Sequence, residues 1–209
     1  MTPKRTISAA SRMAVLAAAV TTGTLLGACA PLLIGGAMVG TALSVTDRRT
    51  SGAQLEDQAI ELKAINRVRE AAGSGSNVNV TSYNRTVLLT GEVASDAARS
   101  AAEQAVARIE NVRATVNELA VMGTTTLSAR SNDAILSSKV KAAFVDAKDL
   151  QANAIKVVAE RGTIYLLGRV TEREANRATE QARATSGVGK VVKVFEILSE
   201  AELAALQSK

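Results

Sequence analysis

The sequence has no histidine, no tryptophan and one cysteine, and only 2% of its 209 residues are aromatic. The missing histidine excludes most catalytic triads and most zinc sites, and one cysteine cannot form an intrachain disulfide. A core must therefore be built from Val, Ile, Leu and Ala. Because a domain of about 60–70 residues buries only a modest share of its surface, two small domains suit this chain better than one large core.

The formal charge of +5 and the pI of about 9.6 would favour an anionic partner. Three of the bases, however, lie in the first 28 residues, at Lys4, Arg5 and Arg12, with no acid among them. Removing that segment would leave a charge of +2. This excess is too small for a nucleic-acid-binding protein, and no nucleic acid is expected as a partner.

The N-terminal segment has the order of a secretory signal peptide. Its basic residues precede an unbroken apolar run at 13–20, which is followed by threonines and small residues. Because a membrane span needs about 20 apolar residues and the threonines interrupt the run, a cleaved signal over residues 1–28 is favoured over a span.

The segment Leu26-Gly27-Ala28-Cys29 resembles the lipobox of bacterial lipoproteins. That resemblance implies that Cys29 receives diacylglycerol, that the chain is cut before it, and that the new N-terminus is acylated. The alternative is a buried free cysteine. The covalent lipid on Cys29 is the one non-protein group expected, and several acyl chains would anchor the protein stably. In the sorting of such lipoproteins, an aspartate after the lipidated cysteine favours retention in the inner membrane. Ala30 stands at that position, so the resemblance implies that this protein is located at the periplasmic face of the outer membrane.

Residues 29–54 are expected to connect this anchor to the folded part. The apolar, glycine-rich stretch after Cys29 is too short to span a membrane. Its Gly36-x-x-x-Gly40 spacing is compatible with close helix packing, but a tether at the membrane surface is favoured. The polar segment 46–54 predicts a linker.

The rest of the chain repeats itself. Residues 78–93 align with 155–170, and the Glu-Gln-Ala triplet at 103–105 recurs at 180–182. Each copy predicts the order α-β-β-α-β, so the fold class is α+β, with two helices on one face of a three-stranded sheet.

The predicted elements have residue-level signatures. Apolar residues recur every four positions in the first helices, at Ile60, Ala64 and Val68 and at Leu136, Val140 and Phe144. The hairpin turns are predicted at Asn84-Arg85 and Arg161-Gly162. Ser95 and the Thr171-x-x-Glu174 capping box are predicted to begin the second helices.

The repeats resemble BON domains, a bacterial periplasmic module. The second copy carries the marks of that family: Ile155-x-Val157, Gly162, Gly168 and Gly187-Val188. The first copy departs from them at Arg85 and at Asn111-Val112. The resemblance implies BON domains over 55–122 and 130–199. With the lipobox and tether, nearly the whole chain resembles the dual-BON outer-membrane lipoproteins.

The second copy is the more basic one, with twelve bases against eight acids, whereas the first has seven against eight. Its first helix is predicted to begin near Ser131–Asp133, which can supply its cap, with Ile135 exposed and flanked by Lys139 and Lys141. The family resemblance implies that this helix contacts anionic phospholipid, and Arg130 is assigned to the same site. The family has an aromatic residue where this chain has Ile135, so interfacial anchoring should be weaker. The alternative is a partly buried Ile135 beside solvated lysines.

Two functions remain open. The first is a lipid-anchored protein that binds an anionic phospholipid membrane through the second copy and supports envelope integrity. The second is an adaptor or chaperone-like module that binds envelope proteins. No catalytic or metal-binding residue is predicted, because Glu172 and Glu174 suit a helix N-terminus and the chain has no histidine, no free cysteine after lipidation and no glycine-rich phosphate loop.

Overall fold

The computed structural model describes residues 47–207. The predicted signal peptide, the predicted lipid-attachment residue Cys29 and the predicted tether up to residue 46 lie outside the described residues.

The first repeat begins with a 22-residue helix, α1 (Ser51–Ala72), followed by the hairpin β1 (Asn77–Tyr83) and β2 (Thr86–Val93). Helix α2 (Asp96–Ala107) then leads to two short strands, β3 (Ala114–Asn117) and β4 (Ala120–Val121). Strand β2 pairs antiparallel with β1 and parallel with both β3 and β4. The closing strand predicted over 114–121 is therefore interrupted, where Leu119 turns into the core.

The second repeat has the same order. It comprises α3 (Leu127–Asp146), a 3-10 turn (Ala152–Ala154), β5 (Ile155–Glu160), β6 (Thr163–Thr171), α4 (Glu172–Ala184) and β7 (Lys190–Leu198). Strand β6 pairs antiparallel with β5 and parallel with β7. Both predicted α-β-β-α-β units are confirmed. A further helix, α5 (Glu200–Gln207), follows the segment that the sequence assigned to the second domain.

Each repeat has its own core between its two helices and the inner face of its sheet. Ile60, Ala64 and Val68 are buried in the first core, as predicted. Leu136, Val140 and Phe144 are buried in the second. The predicted caps at Ser95 and Thr171 are also confirmed, and Glu174 completes the capping box of α4.

Both hairpins turn through left-handed residues, as the sequence predicted. The φ angles are +48° and +67° at Asn84 and Arg85, and +49° and +71° at Arg161 and Gly162. Positive φ at both central residues is the requirement of a type I′ turn, whose twist suits a hairpin. Arg85 adopts this conformation without the freedom that glycine has at the same place in the second repeat.

An aspartate on the first helix of each repeat holds the hairpin turn. The Asp57 carboxylate accepts hydrogen bonds from the backbone N–H of Asn84 and Arg85, both at 2.8 Å. The Asp133 carboxylate accepts the same bonds from Arg161 and Gly162, at 2.8 and 2.9 Å. Since both aspartates are buried, these bonds fix the end of the hairpin against the helix.

The outer faces of the two sheets pack on each other. Tyr83 and Leu88 of the first sheet form one buried cluster with Tyr165 and Leu167 of the second. The two repeats therefore share a third core, and their helices lie on opposite outer faces of a four-layer body, in the order helices, sheet, sheet, helices. Consecutive apolar residues in β2 and β6 are typical of strands buried on both faces.

Two boundaries differ from the sequence analysis. The predicted start of α3 near Ser131–Asp133 is wrong: the helix begins at Leu127, and the Thr126 hydroxyl caps it by accepting the N–H of Ala129. Asp133 looked like a cap but holds the distant hairpin instead. The linker assigned to 46–54 also overlaps a folded element, because Thr50 caps α1 and residues 51–54 are its first turn.

Candidate phospholipid-contact surface

Helix α3 has apolar residues on two opposite faces. One face is the core side, with Leu136, Val140 and Phe144. The other carries Leu127, Ile135 and Val145, which are 79%, 55% and 70% exposed. We call these three residues the outer stripe. The predicted exposure of Ile135 is confirmed.

Helical geometry places cations along both edges of the outer stripe. At about 100° per residue, Leu127 and Val145 lie in line and Ile135 lies about 80° from them around the axis. Lys139 is about 40° beyond Ile135, and Lys141 is about 40° beyond the Leu127–Val145 line on the other side. The stripe is therefore bracketed by ammonium groups that are both exposed.

The structure brings only some of the predicted site residues together. Ile135 and Lys139 line the same groove of about 380 Å³, between α3 and the Ser186–Gly187 loop. Lys141 lies on the opposite edge of the stripe. Arg130 faces a different depression, which is shared with Asn79 and Glu160. Lys139 and Lys141 thus lie on opposite edges of the stripe that contains Ile135, Arg130 faces elsewhere, and the four residues do not form one compact pocket.

The surface between these edges consists of small residues. Ser131, Ser138 and Ala142 are exposed between the large side chains of the stripe. One acid, Asp146, lies on this side of α3, at its last residue. The surface is accordingly apolar and basic along most of the helix, with one unfavourable charge for an anionic ligand at its end.

Sequence reasoning missed Leu127 and Val145. Leu127 was placed before the helix, so its alignment with Val145, five turns later, was not apparent. The signal that identifies them is their spacing of 18 residues, which returns to the same helical face once the correct start is known.

Buried carboxylates fix this surface to the first repeat. Glu92, on β2, has no exposed surface and accepts a hydrogen bond from the Arg161 guanidinium at 2.9 Å. It also accepts the N–H of Thr125, next to the α3 cap, at 3.2 Å. Burial alone would raise the pKa of Glu92, but hydrogen bonds from Asn77, Thr125 and Arg161 hold that pKa below its ordinary value. The start of α3 is therefore tied to the first repeat by a charged carboxylate.

The pKa values of two further carboxylates, Glu174 and Asp57, are also lowered by hydrogen bonds. The hydrogen bond from Arg48 is the main cause that lowers the pKa of Glu174. Burial would raise the pKa of Asp57, but hydrogen bonds from Arg85, Ser82 and Arg49 outweigh it and lower that pKa. All three carboxylates favour their charged form.

Within residues 47–207, no cluster of three or more His, Cys, Asp or Glu side chains is placed to hold a metal ion. Over the same residues, none of the helices combines the length and apolar character needed to cross a membrane.

The family model that describes the BON domain matches residues 56–123 and 132–199. The chain belongs to the BON-domain family. The two matches correspond to the first and second repeats, which we now call BON1 and BON2. The outer stripe thus lies on the first helix of BON2, and that helix begins five residues before the matched segment.

Two curated proteins show related sequences. The chain is 36% identical to the outer membrane lipoprotein DolP of Haemophilus influenzae over 196 residues, which cover 92% of this chain and 99% of that protein. It is 30% identical to a 21 kDa hemolysin of Actinobacillus pleuropneumoniae, over 71% of this chain and 78% of that protein. The predicted resemblance to the dual-BON lipoproteins is confirmed, and it supports an envelope-associated function.

Among solved structures, CdsD, a structural protein of the type III secretion system of Chlamydia trachomatis, covers 69% of this chain and 97% of its own. The TM-score is 0.28 and the sequence identity is 11%. A likeness this low supports no inference about function.

Proposed function

We propose that this protein is an outer-membrane lipoprotein, anchored through Cys29, whose BON2 domain binds anionic phospholipid and thereby supports envelope integrity. Binding is non-catalytic and reversible at BON2, whereas the lipid on Cys29 provides permanent attachment. The kinship with an outer membrane lipoprotein supports the location.

The observation that carries this proposal is the outer stripe of α3. The three side chains of the stripe are 55–79% exposed, and their transfer from water into the apolar part of a membrane would be favourable. A helix that lies in a membrane interface needs such a face, together with basic residues at its margins. Lys139 and Lys141 occupy both margins, so apolar insertion and electrostatic attraction act on the same helix.

The expected affinity is moderate. Each lysine or arginine near an anionic leaflet contributes about 1 kcal/mol of attraction. Three aliphatic side chains add apolar burial, but no aromatic residue is present on the stripe to anchor it at the interface. A weak, salt-sensitive contact of this kind suits a protein that is already held at the membrane by its N-terminus.

Co-sedimentation of residues 46–209 with neutral and anionic vesicles tests the proposal. This fragment lacks Cys29, so binding reports on the folded part alone. We expect binding to anionic vesicles only, with loss at high salt as ions screen the lysines. Lys139→Glu/Lys141→Glu should abolish binding, and Ile135→Ser should weaken it.

Matched controls come from α1, on the opposite outer face of the body. Lys63→Glu/Arg69→Glu makes the same charge change at two exposed positions, and Leu62→Ser removes an apolar side chain that is 68% exposed. These variants should bind as the unmodified fragment does. Equal binding by the α1 and α3 variants would refute a specific surface on α3.

A second candidate function is an envelope adaptor, and one observation favours it. Helix α1 exposes Leu55 and Leu62, at 66% and 68%, on the face opposite to α3. A membrane that covers α3 leaves this face open to a protein partner. Two results together would favour the adaptor function. The first is that neither the fragment nor its variants bind to vesicles, and the second is that Leu55→Ser/Leu62→Ser disturbs the envelope in cells.

A further inference from the structure

The four-residue segment that immediately precedes α1 contacts both domains and connects them. Residues 47–50, which we call the strap, precede the first helix of BON1 and yet contact both domains. The sequence assigned them to a linker, and the proposed function gives them no role.

The first arginine of the strap is bound to BON2. The Arg48 guanidinium donates two hydrogen bonds to the Glu174 carboxylate, both at 2.7 Å, and a third to the backbone oxygen of Arg169 at 2.8 Å. Arg169 returns a hydrogen bond to the backbone oxygen of Arg48 at 3.2 Å. Both side chains of the ion pair are only 8% exposed, so water competes little for these bonds.

The next residue is bound to BON1. The Arg49 guanidinium donates a hydrogen bond to Asp57 at 2.8 Å and lies 4.1 Å from the centre of the Tyr83 ring. Asp47 orients it through a 2.7 Å ion pair. Asp57 is the residue that holds the BON1 hairpin, and Tyr83 belongs to the apolar cluster between the two sheets.

Adjacent arginines therefore reach structural carboxylates of different domains. Asp57 holds the hairpin of BON1, and Glu174 completes the cap of α4 in BON2. Because neighbouring residues in a chain cannot move apart, the two carboxylates are tied to each other through a very short backbone link. A bond pattern of this kind restricts rotation of BON1 against BON2 more than apolar packing alone would.

We infer that Arg48 and Arg49 are positioning residues. They lock BON1 against BON2 and fix the place where the anchored chain enters the folded body. This fixed entry point presents the outer stripe of α3 to the membrane in one orientation, so that the lipid on Cys29 and the α3 surface act as a bivalent attachment. The orienting role rests on the proposed phospholipid binding, whereas the locking role does not.

The test uses the full mature lipoprotein in anionic vesicles. Cys29 is the chain's one cysteine and is occupied by lipid in that form, so introduced cysteines label selectively. A dye pair at Asn66→Cys on α1 and Ser138→Cys on α3 reports the arrangement of the two domains by single-molecule energy transfer. A polarity-sensitive dye at Ser138→Cys alone reports contact with the bilayer.

In Arg48→Ala/Arg49→Ala, we expect the energy-transfer distribution to broaden. The membrane-bound fraction at position 138 should fall by roughly twofold or more, because a flexible link lowers the effective concentration of the α3 surface. Lys63→Ala/Arg69→Ala removes the same charge from α1 and should change neither signal. Arg48→Lys keeps the charge but loses the bidentate geometry, and it should give an intermediate distribution.

The outcomes separate the two roles. Circular dichroism checks that each variant is folded, and Arg48→Lys serves if the double variant is not. An unchanged energy-transfer distribution would overturn the lock. A broadened distribution with unchanged contact at position 138 would overturn the orienting role. If position 138 of the unmodified protein never contacts the bilayer, the proposed function fails, and the energy-transfer distributions still decide the lock.

Discussion

Asp133 in BON2 is the structural counterpart of Asp57 in BON1. Each lies on the first helix of its domain, is buried, and accepts the two backbone N–H groups of a left-handed hairpin turn. They differ in their further partners. Asp57 also accepts the Ser82 hydroxyl and the Arg49 guanidinium, so BON1 depends on its aspartate more heavily.

Removing these aspartates should destabilise the protein to different degrees. Asp133→Ala leaves two backbone donors without their acceptor and should lower the free energy of unfolding by about 1–3 kcal/mol. Asp57→Ala also leaves the Ser82 hydroxyl without its acceptor and removes one of the two carboxylates that pair with Arg49, so it should cost more, about 2–4 kcal/mol. Urea unfolding measures both, with the exposed Asp146→Asn as a neutral control. Equal losses of unfolding free energy in the two variants would contradict the expectation that Asp57 contributes more than Asp133.

Arg85→Gly should stabilise the protein. Arg85 has a φ of +67°, and a left-handed conformation costs a non-glycine residue about 1–2 kcal/mol. Its two turn bonds are made by backbone atoms, so glycine retains them. After the entropic cost of glycine, we expect a gain of about 0.5–1 kcal/mol in thermal or urea unfolding. Arg85→Ala keeps the positive φ of a non-glycine residue and should leave the stability unchanged. A loss of stability in Arg85→Gly would show that contacts of the arginine side chain contribute more than the strain of its backbone costs.

Stability should not change between about pH 5.5 and 8, because the chain has no histidine to titrate there. It should fall in acid. The folded-state pKa values of Asp57, Glu92 and Glu174 are lowered, so their contribution is complete above the unfolded pKa values and is lost as the pH falls through the folded ones. Thermal unfolding from pH 2 to 8 measures this dependence. A constant melting temperature below about pH 4 would contradict it.

Asp146→Asn should strengthen binding to anionic vesicles. Asp146 is the last residue of α3 and lies on the side of the outer stripe, where its charge opposes that of the lipid. Its removal should contribute about 1 kcal/mol, or roughly fivefold in affinity. Vesicle titration at low salt measures the gain, and Asp96→Asn on α2 supplies a control. A gain of the same size in both variants would indicate a general charge effect.

Local patterns in the sequence predicted most of each domain. The spacing of Ile60, Ala64 and Val68 identified a helix and its buried face, and the Asn84-Arg85 pair identified a tight turn. Both features depend on residues close together in the chain, where helical periodicity and turn geometry apply directly.

Long-range contacts account for what the sequence did not show. Asp133 looked like a helix cap because its partners, Arg161 and Gly162, lie 28 and 29 residues away. Arg48 looked like part of a linker because Glu174 is 126 residues distant. The packing of the two sheets had a signal, since Leu88 and Leu167 make β2 and β6 apolar on both faces.

The central claim is that the outer stripe of α3 lies in the membrane interface. In the full lipoprotein on anionic vesicles, a spin label is attached at one position of α3 at a time. For each label, the collision rate with oxygen, which enters the lipid, is compared with the collision rate with a reagent that stays in water. Our account predicts lipid contact that recurs with helical period at positions 127, 131, 135, 138, 142 and 145, and none at Gln58 or Leu62 on α1. If labels on the two helices are equally exposed to water, the α3 surface does not contact lipid.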